Sequence, residues 1–146
     1  MKRLFLVMVT ILLVLSTMLS FGAECSASFT TAKISEATMA LSVDSNAKPV
    51  NPTNKFYVDS PAIYCSCKVS NAPEQTDVTS VWVYVRGEAD LENYEIDSYG
   101  MTVEGTTYLY FYMNRPTNGW PTGEYKLVLY LDGKEQTSLP FTVQAN

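Results

Sequence analysis

The stretch Gly123-Glu124-Tyr125-Lys126-Leu127-Val128-Leu129-Tyr130-Leu131-Asp132-Gly133 decides the fold class. Tyr125, Leu127, Leu129 and Leu131 recur at every second residue, which places them on one face of a strand, with Lys126, Val128 and Tyr130 on the other. Asp132 and Gly133 both tolerate positive φ, so the strand ends in a two-residue hairpin turn. The returning segment, residues 136–144, again aligns Leu139, Phe141 and Val143 on one face. Pro140 removes a ladder donor and so predicts an edge position or a bulge there.

Working outward, the same period of two recurs. Residues 78–86 put Val81, Val83 and Val85 opposite Val78, Trp82 and Tyr84; residues 106–114 put Leu109, Phe111 and Met113 opposite Tyr108, Tyr110 and Tyr112. Residues 62–70 align Ile63, Cys65, Cys67 and Val69, and residues 37–44 align Met39, Leu41 and Val43. A short strand is predicted at 94–98, loops at 45–54, 87–92 and 115–123, and a turn at Asn71-Ala72-Pro73-Glu74. Nothing after residue 27 shows sustained helical periodicity. About seven short strands predict an all-β fold, an antiparallel β-sandwich over residues 37–146, preceded by an extended lead-in at 28–36.

The chain has 146 residues, 47% of them hydrophobic, enough for the core of one domain. Ten basic against fifteen acidic side chains give a net charge of −5, without the basic footprint of a nucleic-acid binder. There is no His, so the commonest general base is missing. No GxSxG elbow and no phosphate-cradling Gly-rich loop occurs either, so the expectation is a protein that is not an enzyme and needs no cofactor.

At the N-terminus, Lys2 and Arg3 precede an apolar run from Leu4 to Leu15, the pattern of an export signal over residues 1–27, read as a signal helix. A cut after Ala27 fits the small-residue rule. Retention as a membrane anchor through residues 1–24, or lipid attachment at Cys25, are the alternatives, and all three place the domain outside the cytoplasm. Removing Lys2, Arg3 and Glu24 leaves eight basic against fourteen acidic side chains, a net of −6. Cys65 and Cys67 are two apart on one strand, about 6.6 Å between side chains that run parallel, a poor geometry for a disulfide, so they are read as buried small hydrophobes; a bond to Cys25, if that residue is retained, or a link between chains are the alternatives. Two thiols without His fall short of a zinc set, and no metal is expected.

The region from Ile63 to Val143 resembles immunoglobulin-like sandwiches of secreted proteins. In that resemblance Cys65 or Cys67 lies on the second strand, Trp82 on the third, and Tyr125 near the start of the sixth, two residues before Leu127, where antibody-type domains carry their second cysteine. Gly123-Glu124-Tyr125 looks like a tyrosine corner, which implies a phenol hydroxyl bonded back to loop backbone. Leu127 departs from the antibody pattern and removes the inter-sheet disulfide, so the resemblance is to a looser bacterial Ig-like module. Ile34 to Lys48 and Asn114 to Lys134 also resemble exported domains of bacteria and archaea that carry no established activity. The resemblance implies a core built on Cys65, Cys67, Trp82, Tyr125 and Leu127.

Contact surfaces are the remaining signal. Val81, Val83, Val85, Val128 and Tyr130 would make one outer sheet face apolar. Tyr108, Tyr110 and Tyr112 form a second stripe, suited to a sugar ring or a protein partner because tyrosine combines large area with a polar tip. Trp120, between Gly119 and Pro121, fits a plug at the sandwich end better than a ligand platform but is kept among the candidates. Glu88, Asp90, Glu92, Glu95 and Asp97 lack the spacing of a calcium loop and read as a solvated acidic turn. The expectation is a non-catalytic module of the cell envelope that binds protein or carbohydrate. A self-associating subunit of a surface assembly and an accessory domain of an envelope enzyme complex are the alternatives.

Overall fold

In the computed structural model the described residues are 30–146, and the expected signal segment, Cys25 and the first residues of the lead-in lie outside them. Seven strands follow: β1 Lys33–Val43, β2 Pro49–Pro52, β3 Lys55–Tyr57, β4 Ala62–Gly87, β5 Tyr94–Asn114, β6 Gly123–Leu131 and β7 Lys134–Gln144. The described residues contain no helix, and the fold is all-β and immunoglobulin-like. The β6–β7 turn has Asp132 at φ 48° and Gly133 at φ 76°, the paired positive values a two-residue hairpin requires.

The number of strands agrees with the sequence reading, but their division differs. The second and third expected strands are one, β4, and the fourth and fifth are one, β5. The ladder runs from Ala62↔Asn114 to Tyr84↔Tyr94 and shifts register around Ala72↔Gly105. Asn71 (φ 54°) and Gln75 (φ 60°) take up the extra residues as bulges, so a segment with turn composition becomes a corner within a continuous strand. β2 and β3 arise where a single loop and unassigned chain were expected. β1 also begins earlier than expected, because a bulge at Glu36 (φ 54°) interrupts its alternation.

The corner creates two layers. One runs β2-β1-β4-β5, using residues 62–70 of β4 and 107–114 of β5. The other runs β5-β4-β6-β7-β3, using residues 94–103 of β5 and 76–87 of β4. β5 is therefore the edge of both layers. The β3–β7 pair is parallel, the one departure from antiparallel pairing among the described strands. Pro140 faces Lys126 on β6, while β3 pairs with β7 only from Thr142 onward, so its missing donor falls on a free edge.

Between the layers a single core joins Ile63, Cys65, Cys67, Val69, Phe111 and Met113 to Val78, Trp82, Tyr125, Leu127, Leu129 and Leu131. Phe141 lies at its aromatic centre, edge-on to Phe56 (5.6 Å) and Trp82 (6.1 Å) and stacked on Tyr125 (5.2 Å). Each large side chain buried this way contributes about 1.5–3 kcal/mol. Cys65 and Cys67 are free, fully buried thiols, and burial pushes Cys67 up to about 12.

Candidate aromatic binding face

The site grows out of strand alternation. On β4, Ile63, Cys65 and Cys67 are buried, so Tyr64, Ser66 and Lys68 take the outer face; on β5, Phe111 and Met113 are buried, so Tyr108, Tyr110 and Tyr112 do the same. The register sets Tyr64 opposite Tyr112, Ser66 opposite Tyr110 and Lys68 opposite Tyr108. Tyr64 and Tyr112 are 5.5 Å apart with planes 18° from parallel, an offset stack, and Tyr110 lies 6.4 and 6.2 Å from them. Tyr110 is 44% exposed and Tyr112 50%, so the row is packed against itself yet open to solvent.

Tyr108, at the end of the row, is engaged. Its hydroxyl donates to Glu36 Oε2 at 2.6 Å, and Glu36 pairs with Lys68 at 3.6 Å. The Nζ atoms of Lys48 and Lys68 lie 5.2 and 5.7 Å from the Tyr108 ring centre. The Tyr108 bond, followed by the nearby lysines, lowers the Glu36 carboxyl below its ordinary value, and the same bond raises the Tyr108 phenol. These groups are solvated, so they fix orientation more than they add stability. Lys48 comes from a tight loop in which Asp44 Oδ1 accepts the backbone N–H groups of Asn46 and Lys48, both at 2.9 Å. Ser66 Oγ donates to Ala47 O at 2.7 Å and holds that loop over the outer face.

The other candidates fall elsewhere. Val81, Val83, Val85 and Tyr130 stand half-buried on the outer face of the second layer, a different surface from the tyrosine row. Val128 is only 5% exposed in the row Val81↔Val128↔Ser138, so it offers a ligand almost no area and leaves the binding set. Trp120 leaves it too. It is 4% exposed, its indole N–H donates to Ser60 O at 2.7 Å, and it closes the sandwich end as a plug.

Tyr64, Tyr94, Ile96 and Tyr99 are surface residues that the sequence reading did not single out. Tyr64 was discoverable as the residue between the two inward positions Ile63 and Cys65. Tyr99 lies one residue beyond the strand expected at 94–98, so the alternation that carries it was not followed that far. Within the acidic stretch, the Glu88 carboxylate accepts both Thr122 N–H and Oγ1–H (3.1 and 2.9 Å), which lowers its pKa. The described residues contain no group of three or more potential metal ligands.

No protein-family model matches the sequence, and no curated protein matches it. Similarity to solved structures is to the fold alone. An alkylpurine DNA glycosylase from Pseudomonas fluorescens, bound to DNA with an abasic-site analogue, superposes with a TM-score of 0.51 at 14% identity over 80% of this chain and 31% of that one. β-Glucosidase 3B from Thermotoga neapolitana, in complex with glucose, gives 0.50 at 9% over 78% of this chain and 16% of that one. An immunoglobulin-like protein from Pseudomonas aeruginosa gives 0.50 at 12% over 77% and 96%. This chain thus spans less than a third of each of the two enzymes and nearly the whole of the immunoglobulin-like protein.

Proposed function

We propose that this chain is a non-catalytic, extracytoplasmic immunoglobulin-like binding module that takes a protein or a carbohydrate on the face formed by Tyr64, Tyr110 and Tyr112. The observation that carries the reading is the self-packed yet exposed tyrosine row on two paired strands. Rings held by a sheet have little freedom left to lose, so contact with them costs little ordering entropy. The export pattern around Lys2 and Arg3 supports a place outside the cytoplasm.

An accessory role beside an enzyme is the second reading, favoured by the occurrence of this fold as 16% of a β-glucosidase chain. Retention of the full chain on glycan and surface-protein arrays tests the binding reading. The variant Tyr64→Ser/Tyr110→Ser/Tyr112→Ser should fold and lose retention, while Val83→Thr should keep it. Retention of the tyrosine variant at the native level would reject the face.

A further inference from the structure

Because β5 ends both layers, its two halves face each other across the open side of the sandwich. Tyr99 and Met101 project from one half toward Leu109 and Phe111 of the other, enclosing a cleft of about 470 Å³, within the usual range of small-ligand sites, about 300–1,000 Å³. The register pairs Asp97 with Trp82 and Tyr99 with Ser80, so these β5 side chains emerge on the core-facing side, with Trp82 and Ser80 beneath them. Tyr99 meets Phe111 edge-on at 6.4 Å, bridging the layers. Of the six aromatic residues in its lining, Trp82 and Phe111 are buried at 2% and 3% exposure, and Tyr99, Tyr108, Tyr110 and Tyr112 are the rings left open, together with one carboxylate and no Lys or Arg.

We propose that this cleft binds an organic cation, an alkylated ammonium or a guanidinium group, against the exposed rings of Tyr99, Tyr110 and Tyr112 with the Asp97 carboxylate as counter-ion. The two ends of the lining are filled differently. At the Tyr108 end the protein's own Lys48 and Lys68 occupy the ring face, and Glu36 compensates Lys68. At the Tyr99 end the Asp97 carboxylate accepts the N–H of adjacent Ser98 at 2.9 Å, and no Lys or Arg among the described residues pairs with it. Ring faces and a carboxylate attract positive charge together and repel anions. An inward-pointing acid on an edge strand can also serve only to discourage strand addition, a role that requires no ligand.

The inference deepens the binding-module reading by naming the ligand chemistry at a cleft that shares Tyr110 and Tyr112 with the outer face. The test titrates the full chain with choline chloride at constant ionic strength, following the two indole N–H signals by NMR. Choline should shift Trp82 and the amides of Asp97 and Tyr99 saturably, while the Trp120 signal, from the plug at the sandwich end, stays fixed. The neutral isostere 3,3-dimethyl-1-butanol should bind about tenfold more weakly, and Asp97→Asn and Tyr99→Ala should each weaken choline by about tenfold. Asp97 and Tyr99 are exposed, so both variants should fold. Equal binding of the neutral isostere, saturation by methyl glucoside without choline, or no shift up to about 50 mM choline would each overturn the proposal. Such a result with normal array retention of Asp97→Asn would reject the cation site and leave the tyrosine face standing.

Discussion

Tyr125 donates its phenol hydrogen to the carbonyl oxygen of Pro121, four residues upstream, at 2.6 Å. The same ring meets Tyr84 edge-on at 4.9 Å, and Tyr84 in turn donates to Thr122 O and accepts from Ala89 N–H. The two phenols thus tie the loop before β6 to the end of β4. This is the tyrosine corner that the resemblance implied, and it fixes one end of the sandwich.

Tyr125→Phe keeps the ring packing and removes the bond, leaving the Pro121 carbonyl without that donor. The expected loss is about 1–2 kcal/mol of unfolding free energy, read from urea denaturation with an unchanged m-value. Pro121→Ala should cost less, because the accepting carbonyl is retained.

Gly87 and Gly123 face each other across the β4–β6 ladder. A Cβ on Gly87 would lie 2.4 Å from Thr122 O and 2.5 Å from Gly123 Cα, so Gly87→Ala forces backbone apart and should cost about 1–3 kcal/mol or prevent folding. Gly105 sits at φ 74° with nothing within 4 Å of a built Cβ, so Gly105→Ala should carry only the left-handed backbone cost of about 1–2 kcal/mol. Thermal midpoints should rank native above Gly105→Ala above Gly87→Ala.

Alkaline pH should destabilise the protein in a defined window. Burial raises Cys67 from its ordinary value near 9 to about 12 and raises Cys65 as well, with Cys67 a secondary cause; burial also raises Tyr125, from near 10. Each group is neutral when protonated or uncharged in the fold, and each folded-state value exceeds the unfolded one. Their contribution is therefore complete below about pH 9 and is lost as pH rises from there through about 12. Urea midpoints measured from pH 7 to 11 should fall above pH 9, and Cys67→Ala should reduce that slope.

Local chemistry made much of this architecture legible in the sequence. Asp132-Gly133 announced the β6–β7 hairpin, and period-two alternation divided each strand into two faces, while the immunoglobulin-like resemblance, not the alternation, implied that Trp82 points inward. What stayed hidden depends on distant pairing. Asn71-Ala72-Pro73-Glu74 has the composition of a turn, and only the partner Gly105, far along the chain, makes that segment a bulged corner instead. β3 exists because β7 passes beside it in parallel, a contact that no local pattern encodes. Val128 alternates outward as expected, yet it is buried there.

Side-chain NMR of ¹³C-labelled tyrosines, recorded on the full chain with a ligand retained on the arrays, tests the aromatic face most directly. The signals of Tyr64, Tyr110 and Tyr112 should move together and saturably, while those of the buried Tyr84 and Tyr125 hold still. Saturable binding with the three rings of the row unmoved, and with shifts gathered on Val81, Val83 and Val85 instead, would contradict it.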